Sequence, residues 1–244
     1  MVGARSRRRW YNIKIMRVAI IIPAYNEGPV IKSVVDGVNQ VFSKTRYTYE
    51  VVVVNDKSTD DTAKNAKKAT VISHIVNQGA GGATSTGLSY VERHNFNWAI
   101  TMDADGQHDP LDALKCLEYA IGTNCDLLIG SRLMDKEGMS RVKLLGNKGL
   151  SIITWLLFGV NVTDSQSGLR IFSRKALDNL EWKSTSYDFC SEMIWRANQA
   201  KLKIGEHPIK AIYTDYSKAK GQNNWNAINI VKTLLYRRLV EYLG

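Results

Sequence analysis

Apolar residues along this chain of 244 residues fall into two alternating patterns, short continuous runs and stretches at helical spacing. Residues 18–22 are a continuous apolar run closed by Pro23, the pattern of a strand covered on both faces. Val30, Ile31, Val34, Val35, Val38, Val41 and Phe42 then recur as they would along one side of a helix. The same alternation predicts strands at 51–54, 71–76, 98–102 and 127–129, and helices at 59–69, 82–92 and 111–121. Such β-α alternation predicts an α/β fold: a Rossmann-like, mostly parallel central sheet flanked by helices, with right-handed crossovers. Sheets of this type gather ligands beyond the carboxyl ends of their strands. Polar clusters stand at those ends, at 23–27, 55–61, 103–109 and 130–132. After about residue 141 the pattern is less regular and reads as a portion appended to the same domain.

Residues 16–220 are therefore expected to form one domain, preceded by a basic, disordered extension at 1–15 and followed by an amphipathic helix at 221–244. No stretch approaches the ~20 apolar residues of a spanning helix; the longest, 150–162, is interrupted by Ser151, Thr154, Gly159 and Asn161. The net charge of +10 lies entirely in residues 1–15 and 201–244. Basic ends on a neutral body suit an anionic surface, although solvated tails account for them equally well. RNA-binding aromatic segments are absent, so nucleic acid is not an expected partner. Cys116, Cys125 and Cys190 are an odd number without CxxC spacing, which points away from a disulfide framework or zinc site and towards a reducing cytosol.

The densest chemistry is at 103–110, directly after a predicted strand. Asp103 and Asp105 can face one divalent ion, Gln107 adds a neutral oxygen, and Gly106 permits a tight turn. Asp109 before Pro110 has the placement of a helix cap instead. Mg2+ or Mn2+ in an oxygen site of this kind bridges to substrate phosphates.

Residues 21–27 (IIPAYNE), 54–60 (VNDKSTD) and 103–105 (DAD) resemble the successive signatures of the family 2 glycosyltransferases, which have the GT-A fold. Residues 130–132 (GSR), 164–170 (DSQSGLR) and 206–209 (EHPI) are similar to further motifs of its dolichyl- and polyprenyl-phosphate sugar synthases. The resemblance spans about residues 16–220 in order. It implies transfer of one sugar, with inversion, from a nucleotide sugar to a polyprenyl or dolichyl phosphate. It places Pro23, Ala24, Tyr25, Glu27 and Asp56 at the nucleoside, Asp56 near the base. Asp103 and Ala104 would lie near the ribose, and Asp103, Asp105 and Gln107 on Mg2+ or Mn2+. The family has two acids in its second motif, whereas Asn55 precedes Asp56 here. The Gly-rich and DSQSG segments favour a UDP-sugar over GDP-mannose.

A diphosphate leaving group accumulates negative charge, which a metal on Asp105 and Gln107 can stabilise. A lipid phosphate is already anionic and needs no strong general base. It does need cations, and Arg132, Arg141 and Arg170 are candidates because a guanidinium grips phosphate as a fork. The glycine-rich segment 77–84 could bring its backbone to a phosphate. It also loosely imitates a dinucleotide-binding loop, but with Thr84 in the third glycine position and after the third strand rather than the first. Trp195-Arg196 lacks the QxxRW pattern of processive relatives. Glu192 is compatible with an acceptor-facing or an ordinary capping role. His74 reads as structural, and His108 is the histidine nearest the proposed metal.

Trp225, Ala227, Ile228, Val231, Leu234, Leu235 and Leu239 share a predicted helical face beside Lys232, Arg237 and Arg238. That face suits peripheral docking on an anionic membrane or packing on a protein. The expected location is the cytoplasmic face of a membrane, with a membrane-anchoring subunit as a compatible partner.

Overall fold

The computed structural model describes residues 16–134, 141–185 and 188–212 together with Tyr216 and Lys232, giving backbone only over 141–147. The expected N-terminal extension lies outside the described residues. So does the C-terminal helix apart from Lys232, which is exposed and helical.

The elements in chain order are β1 (Arg17–Ala24), α1 (Ile31–Phe42), β2 (Thr48–Asn55), α2 (Thr62–Asn65), β3 (Thr70–Ser73), α3 (Gly79–Arg93) and β4 (Trp98–Thr101). They continue with α4 (Pro110–Thr123), β5 (Leu127–Ser131), α5 (Arg141–Phe158), β6 (Arg170–Ser173), α6 (Arg174–Asn179), α7 (Phe189–Gln199) and β7 (Ile204–Pro208). The strands form one seven-stranded sheet in the order β3-β2-β1-β4-β6-β5-β7. All neighbours pair in parallel except β6, which runs antiparallel to both β4 and β5. This is the expected mostly parallel α/β sheet.

Alternate residues of β1 feed opposite cores, as a strand covered on both faces requires. Val18, Ile20 and Ile22 pack with Ile31, Val35, Val38 and Phe42 of α1 and with Ala113, Leu117 and Ala120 of α4. Ala19 and Ile21 pack with Leu88 and Val91 of α3 and with Met193 and Ala197 of α7. Gly87 lets α3 lie directly on β1, since a Cβ there would stand 2.3 Å from Cγ2 of Ile21.

Several boundaries differ from the sequence expectation for local reasons. β1 passes through Pro23 to Ala24, in register with Val54 and Asn55. The Pro23 nitrogen faces the β4 side, where pairing has already ended at Ile21, so its missing N–H breaks no ladder bond. α2 is a single turn that begins only at Thr62, whose amide Asp60 accepts from the preceding loop. β3 stops at Ser73, leaving Ile75 and Val76 exposed while His74 turns inward. β6, absent from the sequence expectation, runs back between β4 and β5. It brings the 164–169 loop to the edge where β1, β2, β4, β5 and β7 also end. Among the described residues, no helix is long and apolar enough to cross a membrane.

Candidate functional site

The chain progresses outward from β1 to β3 and returns to place β4 on the other side of β1, so a crevice opens between the carboxyl ends of β1 and β4. Its β1–β2 wall is a stitched pair of loops. Asn26, in the left-handed region at φ 54, donates its amide to Ser58 Oγ (2.9 Å) and accepts from Thr59 N at Oδ1 (2.8 Å). The Glu27 amide donates to Thr62 Oγ1 and the Gly28 amide to Asp60 Oδ2, each at 2.8 Å. Burial raises the Asp60 pKa, but the bonds from Thr62 and the Gly28 amide outweigh it and hold the carboxyl below its ordinary value. Tyr25 stands at the rim, 47% exposed, whereas Ala24 is buried in the core. The buried Glu27 carboxylate accepts from the Tyr216 hydroxyl (2.9 Å), which places Tyr216 against this wall. Burial and the Glu27 bond push the Tyr216 phenol up to about 12.

Asp56, expected near the base, directly follows β2 and has its carboxylate engaged by the protein. Its buried carboxylate accepts from the Gln78 amide (2.7 Å), the Gly79 amide (2.8 Å) and His74 Nδ1 (2.8 Å). It therefore caps the start of α3, where orphan amides favour an anion. His74 is structural, as expected, with Nε2 on Thr86 Oγ1. The glycine-rich segment is corrected for the same reason: its leading amides are engaged by Asp56. The Gly81 amide bonds Thr185 O, and a Cβ on Gly81 would lie 2.4 Å from Ser184 O. These glycines serve packing, and they stand after the edge strand rather than at the crevice, which removes the dinucleotide reading. Asn55 bonds Ser73 Oγ through Nδ2 and accepts from Ser58 N at Oδ1, tying β2 to β3 and to the turn.

Across the crevice, β4 delivers Asp103 and Asp105. Gly106 takes φ +76 at the turn, and Asp109 caps α4 by accepting from Leu111 N, with Pro110 in the first helical turn. Asp103 Oδ2 meets Nε2 of His108 at 3.0 Å; His108 is buried, with Nδ1 lacking a partner among the described residues. Burial pushes the Asp103 pKa up, but the His108 bond and the charges of His108, Arg132 and Arg170 bring it below the ordinary value. Asp105 moves the opposite way, raised by burial and by the neighbouring Asp103 charge. Gln107 donates its amide and side-chain nitrogens to Asp105 at 3.0 and 2.8 Å. The Asp103 and Asp105 carboxylates with the neutral side-chain oxygen of Gln107 offer an all-oxygen donor set of the kind that suits Mg2+ or Mn2+. Among the described residues, no three His, Cys, Asp or Glu side chains form an all-protein metal cage. A Mg2+ site with one or two carboxylates, completed by substrate phosphates, has no such cage. Ala104, between them, has its methyl in the core.

The third wall comes from the ends of β5 and β7 and the loop into β6. Arg132 forms a two-pronged pair with Asp164, Nε to Oδ2 at 2.8 Å and Nη2 to Oδ1 at 3.0 Å. Glu206 of β7 accepts from the Thr163 amide and hydroxyl and from the Asp164 amide, so it fixes the loop that holds Arg132. Arg170 is corrected: it is 1% exposed, and its guanidinium donates to the carbonyls of Ser167, Cys190 and Ser165. It holds the 164–168 loop from within and acts on Asp103 through its field, without gripping a phosphate itself. Arg141 opens α5, and its side chain lies outside the described residues. Glu192 is likewise a scaffold group, buried and accepting from the Lys183 and Ser184 amides. Asp164, Glu206 and His108 were not singled out for roles from the sequence, although each lies within or beside a matched motif.

Residues 19–181 match the family described as Glycosyl transferase family 2, and the chain belongs to that family of glycosyltransferases. It is 39% identical to the UDP-N-acetylglucosamine--dolichyl-phosphate N-acetylglucosaminyltransferase of Methanococcus voltae, over 93% of this chain and 96% of that protein. It is 27% identical to the polyprenol monophosphomannose synthase of Mycolicibacterium smegmatis, over 85% of this chain and 82% of that one. Among solved structures, the fold is similar to glucosyl-3-phosphoglycerate synthase of Mycobacterium tuberculosis in complex with Mn2+, UDP-glucose and phosphoglyceric acid. There the TM-score is 0.68 and the identity 20%, covering 90% of this chain and 79% of that one.

Proposed function

We propose that this glycosyltransferase moves one sugar from a UDP-sugar to a polyprenyl or dolichyl phosphate at the cytoplasmic face of a membrane, with a divalent metal and with inversion. One observation carries the reading: the Asp103–Asp105 pair and the Asp164-held Arg132 share one sheet edge, close enough for the Arg132 charge to lower the Asp103 pKa. This sets an anion-repelling carboxylate pair, suited to a metal-bound diphosphate, beside a cation suited to a second phosphate. The relatives named for transfer to dolichyl and polyprenyl phosphates support the acceptor, and the Methanococcus name supports a UDP-sugar. GDP-mannose is the other donor to test.

Asp103, Asp105 and Gln107 would hold Mg2+ or Mn2+, which supplies Lewis-acid neutralisation of the leaving diphosphate. Tyr25, Glu27 and Pro23 form the nucleoside wall, and Asp56 supports it indirectly by fixing the turn at 77–79. His108 orients Asp103. Arg132, held at two nitrogens, presents its guanidinium to the acceptor phosphate with little reorganisation. The phosphate oxygen attacks the anomeric carbon from the face opposite the diphosphate. The acceptor is ionised at neutral pH, so no proton has to be removed in this step.

The test is a panel of UDP- and GDP-sugars presented with polyprenyl phosphate and Mn2+, with the glycolipid identified by mass spectrometry. Formation of a monoglycosyl polyprenyl phosphate with one donor, abolished by excess EDTA, supports the reading. Absence of product with every donor would reject it.

A further inference from the structure

The turn after β1 is secured through its backbone by its own neighbours. Asn26, Glu27 and Gly28 each give an amide to a side chain of the facing β2 loop, Ser58, Thr62 and Asp60 in turn. The Glu27 carbonyl accepts from the Val30 and Ile31 amides at 3.0 and 2.9 Å, where α1 begins. Tyr216 reaches this turn from a position 189 residues further along the chain. Its hydroxyl meets Glu27 Oε2 at 2.9 Å and the Asn26 carbonyl at 3.3 Å. The backbone already has its partners, so what this phenol restrains is the Glu27 carboxylate. Burial, the bond to Glu27 and the charges of Glu27, Asp60 and Asp105 all raise the phenol pKa. The hydroxyl therefore stands between the β1–β2 wall and the β4 loop, on the crevice itself, and keeps its proton as a permanent donor. A carboxylate can accept about four hydrogen bonds, so the Tyr216 bond orients Glu27 without closing it to a ribose hydroxyl.

We propose that Tyr216 is a positioning residue of the donor site, its hydroxyl fixing the Glu27 carboxylate so that it accepts from a ribose hydroxyl of the nucleoside diphosphate. The proposal rests on the reading of the turn after β1 as the nucleoside wall. Its consequence is that Tyr216 acts on the ribose of the donor and leaves the acceptor side, at Arg132, alone.

The test titrates full-length wild type and Tyr216→Phe with UDP and GDP in Mn2+ by calorimetry, well below the thermal midpoint of either protein. The 2′-deoxy and 3′-deoxy forms of the nucleotide that binds are then compared, and the KM values for donor and acceptor are measured alongside. Wild type should prefer the ribonucleotide to at least one deoxy form. Tyr216→Phe should bind the ribonucleotide about tenfold more weakly, the effect of one hydrogen bond to a charged group. It should also lose most of the preference over the deoxy form, with the donor KM raised and the acceptor KM unchanged. In a Glu27→Gln background the same substitution should cost less than about twofold, because the carboxylate it fixes is gone. A lower thermal midpoint with wild-type nucleotide affinity makes Tyr216 a tether and overturns the proposal. Tighter binding by Tyr216→Phe means that the hydroxyl competes with the nucleotide for Glu27, and overturns it too. So does an equal loss on ribo- and deoxynucleotides, or a wild type that does not distinguish them. Wild type that binds neither UDP nor GDP overturns the donor reading itself.

Discussion

Gly168→Ala separates the stability of the fold from the geometry of its site. Gly168 lies in the loop before β6, where its carbonyl accepts from Thr101 Oγ1 at 2.8 Å. A Cβ there would stand 2.1 Å from Asp103 Oδ1 and 2.5 Å from its Cγ and Oδ2, where ordinary contact begins at 3.4 Å. The carboxylate must retreat by about 1.3 Å. That movement breaks its 3.0 Å bond to His108 and carries it out of the proposed metal position. Gly168 is not among the glycines with positive φ, so alanine brings no backbone strain. The clashing atoms end a side chain that is half exposed, so the fold can accommodate them. Stability should fall by about 1–3 kcal/mol, because the buried His108 loses its partner, while a misplacement of this size can lower turnover about 10²-fold. Measuring kcat/KM across a Mn2+ titration, together with the thermal midpoint, checks both halves. A folded Gly168→Ala enzyme with wild-type turnover and unchanged metal dependence would refute the placement of Asp103 at the reacting diphosphate.

Asp105→Ala should keep the fold and lower transfer by about 10²-fold or more at saturating Mn2+, read by single-turnover kinetics and thermal melting. Arg132→Lys loses the two-pronged pair with Asp164 and should raise the acceptor KM while leaving nucleotide affinity unchanged; equal loss in both would move Arg132 to the donor side. Asp126 bonds the Lys203 amide, Lys175 and Ser173 between β5, β6 and β7. Burial raises its pKa and these bonds more than offset it, leaving it below the ordinary value. Its stabilisation is therefore present above the unfolded pKa of about 3.9 and is lost as pH falls through the lower folded value. Asp126→Asn should cost about 1–2 kcal/mol at pH 7, with the gap to wild type closing below about pH 4 in urea unfolding; a gap independent of pH would contradict this.

The parallel half of the sheet was legible because β1, β2, β4 and β5 are buried on both faces and must be continuously apolar. β6 was not legible. It has four residues, opens with an arginine, and exists through pairing with β4 and β5, which lie far away in sequence. Motif spacing located the polar edge, and with it Asp103, Asp105 and Arg132. It could not tell which charges face the crevice and which support it. The motifs put Arg170 and Asp56 among the ligand contacts, yet folding brings Arg170 to the carbonyls of Ser165, Ser167 and Cys190, and Asp56 to the amides of Gln78 and Gly79 and to His74 Nδ1. In the same way the 206–209 motif assigns Glu206 no role until β7 is placed beside β5, where its carboxylate meets the loop that holds Arg132.

The most direct test of the central claim offers one UDP-sugar, with Mn2+, to matched acceptors: polyprenyl phosphate, the corresponding polyprenol and 3-phosphoglycerate. The account expects product from polyprenyl phosphate alone, with the configuration at the anomeric carbon inverted relative to the donor. Equal transfer to the uncharged polyprenol, or preferred transfer to 3-phosphoglycerate, would contradict it.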